Sequence, residues 1–182
     1  MGKPKQLLNY NGITLLKYTT QIALDSNAST LIVVLGANAG LFNKEIENEN
    51  ATVVINHEWE KGMASSIIKG LDSLLITNPS IDGTIFMMCD QPFVSVSLLN
   101  DLIKTQQATA QPIVASNYGS TIGPPTLFHK TIFPELLKLE GDAGAKKIIE
   151  KHANEAATVY FPGGSIDIDT AADYEFLLGK SL

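Results

Sequence analysis

Apolar runs without alternation recur along the chain, separated by stretches in which apolar residues return every third or fourth position. In one such run Ile85, Phe86, Met87, Met88 and Cys89 follow Thr84 and meet Asp90, Gln91 and Pro92 in immediate succession. A run of this kind reads as a strand buried on both faces, as found inside a parallel sheet. Pro92 has no N–H to give a ladder and disfavours helical geometry at Gln91, so the strand is expected to end here, with Asp90 at its C-terminal end. Residues 31–35, closed by Gly36, predict a second buried strand, 52–55, ending at Asn56, predict a third strand, and 112–115 and 158–161 add further strands.

Between the strands the apolar spacing turns helical. Leu15, Leu16, Ile22 and Ala23 share one face of a helix capped by Thr14 and ending near Asp25. Ile67, Ile68, Leu71, Leu74 and Leu75 share the face of another that begins at Ser65 or Ser66. Helices are also predicted at 42–49, from Ser95 to about Gln107, through Pro134 to Leu139, over 141–149, and after Thr170, which has capping-box spacing with Asp173. Residues 9–12 read as a turn. Residues 118–125 hold two glycines and two prolines and read as a loop, with 118–139 an inserted β or lid element. Strands alternating with helices, with no repeat and no linker, predict one α/β domain over 1–182. It has three layers, a mostly parallel sheet with helices on both faces.

Composition narrows the function classes. The chain has 182 residues, 45% hydrophobic and 18% charged, which suits one ordinary globular domain. Thirteen basic against nineteen acidic residues give a net charge of −6, which argues against non-specific nucleic-acid binding. A nucleotide is compatible with that charge, because it needs only one or two local cations. Cys89 is the single cysteine, so an internal disulfide is excluded and a reducing cytoplasm is the expected location. No apolar run reaches the ~18 residues of a membrane span, and the start lacks a signal-peptide pattern, so no membrane partner is expected.

Ligands of open α/β sheets bind at the C-terminal edge of the strands. A carboxylate placed there, Asp90, is suited to a divalent metal, which takes hard oxygen ligands and comes with phosphates. Alternatively, Asp90 caps the helix that starts near Ser95. Asp142 and the pair Asp167 and Asp169 also fall at element ends. If 167–169 is extended, both of that pair point to one side, and Asp90 with one of them could clamp a single Mg²⁺. They could equally be turn and pre-cap residues. Lys5 offers a compact charge suited to polyphosphate, or is merely solvated. The stretch from Asn56 to Ser66 brings a glycine and small hydroxyl residues to a helix start, where a ligand can approach backbone N–H groups. Trp59, beside Gly62, either walls a pocket or fills a core or rim position. His57, His129 and His152 have no metal-ligand spacing, and Cys89 reads as inert packing. The residues alone thus point to a metal and phosphate site at the edge of an α/β sheet.

Five ordered segments carry a resemblance. They are Gly2-Lys3-Pro4-Lys5-Gln6-Leu7-Leu8, the Asn56–Trp59–Gly62-Met63–Ser66 pattern, Cys89-Asp90-Gln91-Pro92, Gly141-Asp142-Ala143-Gly144-Ala145 and Asp167-Ile168-Asp169-Thr170. Together they resemble the MobA-like NTP transferases, and within these the molybdenum cofactor cytidylyltransferase (MocA) branch. The resemblance implies a Rossmann-like nucleotidyltransferase fold and Mg²⁺-dependent transfer of a nucleotidyl group, CTP being the implied substrate, with release of pyrophosphate. It implies catalytic roles for Lys5, on the triphosphate, and for Asp90, on the metal, with Asp169 completing the metal site. Gly2, Lys5, Asn56, Gly62, Met63, Ser65, Ser66 and Asp90 are implied to hold the nucleotide. Gln91, Pro92, Gly123, Pro124, Gly141, Asp142 and Gly144 are implied to hold the acceptor, a pterin cofactor. A molybdoenzyme or its maturation chaperone is the implied macromolecular partner.

The family opens with a strand and a loop of the type Leu-Ala-Ala-Gly-x-Ser-x-Arg-Met-Gly, and Met1-Gly2 coincide with the last two residues of that pattern. The N-terminal strand and loop are therefore expected to be missing. A gap beside 31–35 and 85–88 would follow, leaving the chain marginally stable and nearly inactive unless another segment or a second copy fills it. Two alternatives stand beside the cytidylyltransferase reading: a sugar-phosphate or alcohol-phosphate nucleotidyltransferase, and a truncated, non-catalytic cofactor-binding protein.

Overall fold

A computed structural model describes residues 4–142 and 144–180. The chain opens with a 3-10 turn at Lys5–Leu7 and a tight hairpin, β1 (Asn9–Tyr10) and β2 (Ile13–Thr14). Asn11 and Gly12 take φ of 52° and 86°, the positive-φ pair that a two-residue hairpin turn requires. Among the described residues no strand precedes β1. Helix α1 (Leu15–Leu24) begins as read, with Thr14 Oγ1 accepting from Lys17 N at 3.4 Å. There follow β3 (Ile32–Leu35), α2 (Ala39–Ile46), β4 (Thr52–Ile55), α3 (Met63–Thr77), β5 (Gly83–Phe86) and α4 (Val96–Thr109). The chain continues with β6 (Ile113–Asn117), β7 (Ile122–His129), α5 (Phe133–Leu136), α6 (Lys146–Lys151), β8 (Ala156–Tyr160) and α7 (Ala171–Lys180).

The sheet is mixed. β3 and β4 pair in parallel, as do β6 and β8, while β7 runs antiparallel between β5 and β6. Alternation along the central strands makes the three layers. Ile113, Ala115 and Phe128 pack with Leu71, Leu136 and Ile149 on one face. Val114 and Leu127 pack with Leu98, Leu99 and Leu102 of α4 on the other. No helix of the described residues is long and apolar enough to cross a membrane.

Two elements differ from their sequence reading, each for a local reason. β5 is half-buried along its length rather than buried on both faces. Its ladder neighbour is β7, whereas β3 pairs with β4, so β3–β4 and the four-stranded sheet are separate hydrogen-bonded units. The β5 ladder also stops at Phe86, opposite Thr126, instead of running to Cys89. The next partners along β7 are Pro125 and Pro124, which have no N–H to offer.

The same prolines account for the second difference, since 122–125 belongs to β7 and not to a loop. The β6–β7 register jumps from Ala115↔Thr126 to Ser116↔Gly123, so both prolines sit in a bulge where no ladder donor is needed. The segment 166–169, which the sequence allows as extended or as turn and pre-cap residues, is no ladder strand. A 3-10 turn at Pro162–Ser165 leads into it, and Ile168 N donates to Asp90 O at 3.1 Å. Smaller shifts are that α2 and α3 start earlier than read and α6 later.

Candidate active site

Lys5, Asp90 and Asp169 come from the two ends and the middle of the chain and meet at one point. Lys5 Nζ donates to Asp90 Oδ2 at 2.6 Å and to Asp169 Oδ1 at 2.9 Å. Three local structures bring them there. The 3-10 turn at Lys5–Leu7 closes with Leu8 N donating to Lys5 O. Asp90 lies beyond the proline-limited end of β5. Asp169 stands just before α7, where Asp173 Oδ2 accepts from Asp169 N at 3.1 Å and Thr170 N at 2.7 Å, while Asp173 N donates to Thr170 Oγ1 at 3.2 Å. That is the predicted capping box, with its acidic partner reaching one residue further back. The Asp90 side chain is 13% exposed and that of Asp169 68%, so the site opens to solvent on the Asp169 side.

Electrostatics follow from this crowding. Burial works against the Lys5 ammonium, but its hydrogen bonds to Asp90 and Asp169 and their charges outweigh it, and its pKa is raised. Asp167 has its pKa raised by burial first and then by the charges of Asp90 and Asp169, with Lys5 and Gln91 partly offsetting them. Two carboxylates thus meet on one lysine, with the charge of Asp167 felt nearby, and the pair is a seat for added positive charge.

Gln91 is 4% exposed. Its Nε2 donates to Tyr118 Oη at 3.0 Å and to Gly164 O at 3.1 Å. Its Oε1 is buried and meets no donor of the protein. Tyr118 Oη in turn donates to Pro124 O. Pro92 is buried beside Gln91. Gln91, Pro92, Gly123 and Pro124, grouped by resemblance, are therefore gathered under the acidic cluster.

A second group forms around the end of β4. Asn56, 3% exposed, donates from Nδ2 to Ser65 Oγ at 2.8 Å and Ser66 Oγ at 3.0 Å, and its Oδ1 accepts from Glu58 N at 2.9 Å. Ser65 Oγ also donates to Gly62 O at 2.8 Å. Gly62 has φ +96°, and a Cβ there would lie 2.5 Å from both Asp142 Oδ1 and Gly141 O. Ala64 N donates to Gly141 O at 3.1 Å, and Met63 Sδ lies 3.0 Å from where a Gly144 Cβ would stand. Asn56, Gly62, Met63, Ser65 and Ser66 are thus brought against Gly141, Asp142 and Gly144. The hydrogen bonds that build this group include none of the Lys5 cluster. Gly2 lies outside the described residues. Trp59 is 44% exposed, with its Cβ 2.7 Å from where a Gly36 Cβ would stand, so it is a rim residue rather than core.

Sequence reasoning missed Tyr118 and Gly164. A Cβ on Gly164 would fall 2.0 Å from Tyr118 Cε1, so the glycine is what lets the ring in. The only hints were a glycine pair after an aromatic residue and a tyrosine opening a Gly/Pro-rich stretch. Neither says which meets which.

Comparison with known proteins bears on the family and the fold. Residues 1–156 match the family described as the MobA-like NTP transferase domain. Nicotine blue oxidoreductase of Paenarthrobacter nicotinovorans is 29% identical over 156 residues, covering 81% of this chain and 74% of that protein. Purine catabolism protein PucB of Bacillus subtilis is 26% identical over 192 residues, covering 97% of this chain and 89% of that protein. Among solved structures, Rv0371c of Mycobacterium tuberculosis superposes with TM-score 0.85 at 30% identity, over 98% of this chain and 90% of that one. Its manganese complex gives TM-score 0.81 at 28% identity, over 97% and 91%. This chain belongs to the MobA-like NTP transferase family, with the α/β fold of a nucleotidyltransferase.

Proposed function

We propose that the protein transfers a CMP group from CTP to the terminal phosphate of a molybdopterin-type pterin cofactor, releasing pyrophosphate, with Mg²⁺ bound at Asp90 and Asp169. The observation that carries this reading is the single ammonium of Lys5 held within 3 Å of both carboxylates. It sits as a stand-in cation between hard oxygen donors. Mg²⁺ is typically held by one or two carboxylates plus water and substrate phosphates, and this pair suits that mode. Among the described residues no group of three or more potential ligands is placed to hold a metal by itself, so water and phosphate would supply the other ligands. The manganese complex of Rv0371c supports a divalent ion in this fold.

The bound metal would offset the negative charge of the triphosphate. The chain's own residues do the rest. A terminal phosphate oxygen of the acceptor attacks the α-phosphorus, the bond from that phosphorus to the bridging oxygen breaks, and pyrophosphate leaves with the electron pair. Lys5, freed from the carboxylates, sets its charge against the β and γ groups. Asn56 fixes Ser65 and Ser66 at the start of α3, where N–H groups and small side chains suit the ribose and base. Gln91 Oε1, a buried acceptor without a protein donor, suits an N–H of the acceptor, with Pro92, Gly123 and Pro124 around it. Gly141, Asp142 and Gly144, packed against Gly62 and Met63, would hold the acceptor from the nucleotide side. Alignment of two anionic substrates supplies most of the rate, and a covalent nucleophile is unnecessary. The protein works in the cytoplasm and passes its product to a molybdoenzyme or its maturation chaperone.

The test is pyrophosphate release from CTP, GTP and ATP, with molybdopterin, a sugar 1-phosphate or an alcohol phosphate as acceptor. Release with CTP and molybdopterin alone is the expected result. Release with a sugar or alcohol phosphate instead would move the chain to that class of transferase. No release with any pair, alongside tight pterin binding, would make it a cofactor-binding protein.

A further inference from the structure

Tyr118 joins three segments that are far apart in sequence. Its hydroxyl accepts from Gln91 Nε2 at 3.0 Å, immediately after Asp90, and donates to Pro124 O in the β7 bulge. Its ring lies on the bare backbone of Gly164, and it meets Phe161 edge-on at 6.0 Å. Gln91 Nε2 completes the loop by donating to Gly164 O at 3.1 Å. The segment thus clamped at Gly164 leads directly to Asp167, Ile168 and Asp169, and Ile168 N is bonded to Asp90 O at 3.1 Å.

Besides this clamp, the acidic segment is anchored by the fully buried Ile168 side chain, by the Ile168 N bond to Asp90 O, by Lys5 on Asp169 and by the capping box of α7, none of which fixes the backbone at Gly164. Asp169 is exposed, so packing does little to fix it. A carboxylate contributes to a cation site only where its oxygen is held in place, and partners one step removed from the ligands commonly govern that. We infer that Tyr118, acting through Gln91 and Gly164, is a positioning residue that holds the 164–169 segment over the end of β5 and so sets the divalent-metal affinity of the Asp90–Asp169 pair. This rests on the proposed metal role of that pair.

Tyr118→Phe tests it, because it removes one oxygen and keeps the ring on Gly164. Mn²⁺ affinity, followed by electron paramagnetic resonance, and hydrogen exchange of the Ile168 and Asp169 amides are the readouts, with exposed Tyr160→Phe as control. The expected result is about tenfold weaker Mn²⁺ binding, faster exchange at both amides and a melting temperature lowered by only a few degrees. In an Asp169→Asn background the same substitution should cost nothing further. Unchanged affinity and exchange would overturn the inference, as would an equal loss of affinity in the parent and Asp169→Asn backgrounds. If the parent takes up no Mn²⁺, the metal reading falls, and the inference about affinity falls with it. Faster amide exchange in Tyr118→Phe would then still establish the clamp.

Discussion

Lys5 Nζ stands 2.6 Å from Asp90 Oδ2, with the two residues 85 positions apart in the chain. An ammonium and a divalent ion compete for the same oxygen, so Lys5 has two seats: on the carboxylates without metal, on the triphosphate with it. Lys5→Met should therefore strengthen Mn²⁺ binding in the absence of nucleotide and weaken the affinity for CTP, by about tenfold or 1.4 kcal/mol. CMP binding should change far less, because it lacks the β and γ groups. Titration calorimetry with Mn²⁺, CTP and CMP checks all three.

Gly62 holds φ +96° within reach of Gly141 and Asp142. Gly62→Ala adds both strain and a backbone collision, and should cost about 1–3 kcal/mol of stability. Urea unfolding of the two proteins measures it. Gly119→Ala, also at positive φ but with open space around the new methyl, should cost less.

Cys89 has its thiol pushed up to about 12, chiefly by burial, with Asp90 adding to it and a hydrogen bond to Thr19 opposing it. Its thiolate is therefore scarce at neutral pH. Iodoacetamide at pH 8 should leave the native protein unlabelled and label it fully in urea, as mass spectrometry would show.

His152 gives a pH dependence away from the site. Its Nδ1 faces Glu155 Oε2 at 2.9 Å and its Nε2 faces Glu135 Oε1 at 3.0 Å, so both ring nitrogens meet acceptors and the imidazolium is favoured. Its pKa is raised by the Glu155 bond, opposed by burial, and raised further by Glu135. A raised folded pKa means the contribution is fully present below the ordinary histidine value of about 6.5 and is lost as pH rises through the folded value. His152→Gln should thus be less stable than the parent at pH 5.5, with the difference shrinking by pH 8.5. Melting curves across that range decide it.

Much of this was legible because it is local. The existence of strands at 32–35 and 52–55, the Thr14 cap, the helix start at Ser95 and the Thr170–Asp173 box depend on residues within a few positions, and they stand as read, although the 32–35 strand is only partly buried. Lys5, Asp90 and Asp169 were each marked as candidates by their residue type and place, but only the fold brings their charges within one hydrogen-bonding distance of a common atom. The Pro124–Pro125 bulge was misread because proline and glycine signal loops by themselves. Here a partner strand with its own irregularity accommodates them. β5 was misread as fully buried because its apolar run fixes what could pack, not how many neighbours it has. The Tyr118–Gly164 approach spans the chain and leaves no periodic signal.

The central claim is that Asp90 holds a divalent metal for a nucleoside triphosphate. The direct measurement is equilibrium binding of CTP, with and without Mg²⁺, to the parent and to Asp90→Asn, whose side chain keeps its shape and loses its charge. The predicted result is Mg²⁺-dependent binding by the parent, no such binding by Asp90→Asn and equal melting temperatures without ligand. An Asp90→Asn protein that binds Mg²⁺–CTP as well as the parent would contradict the claim.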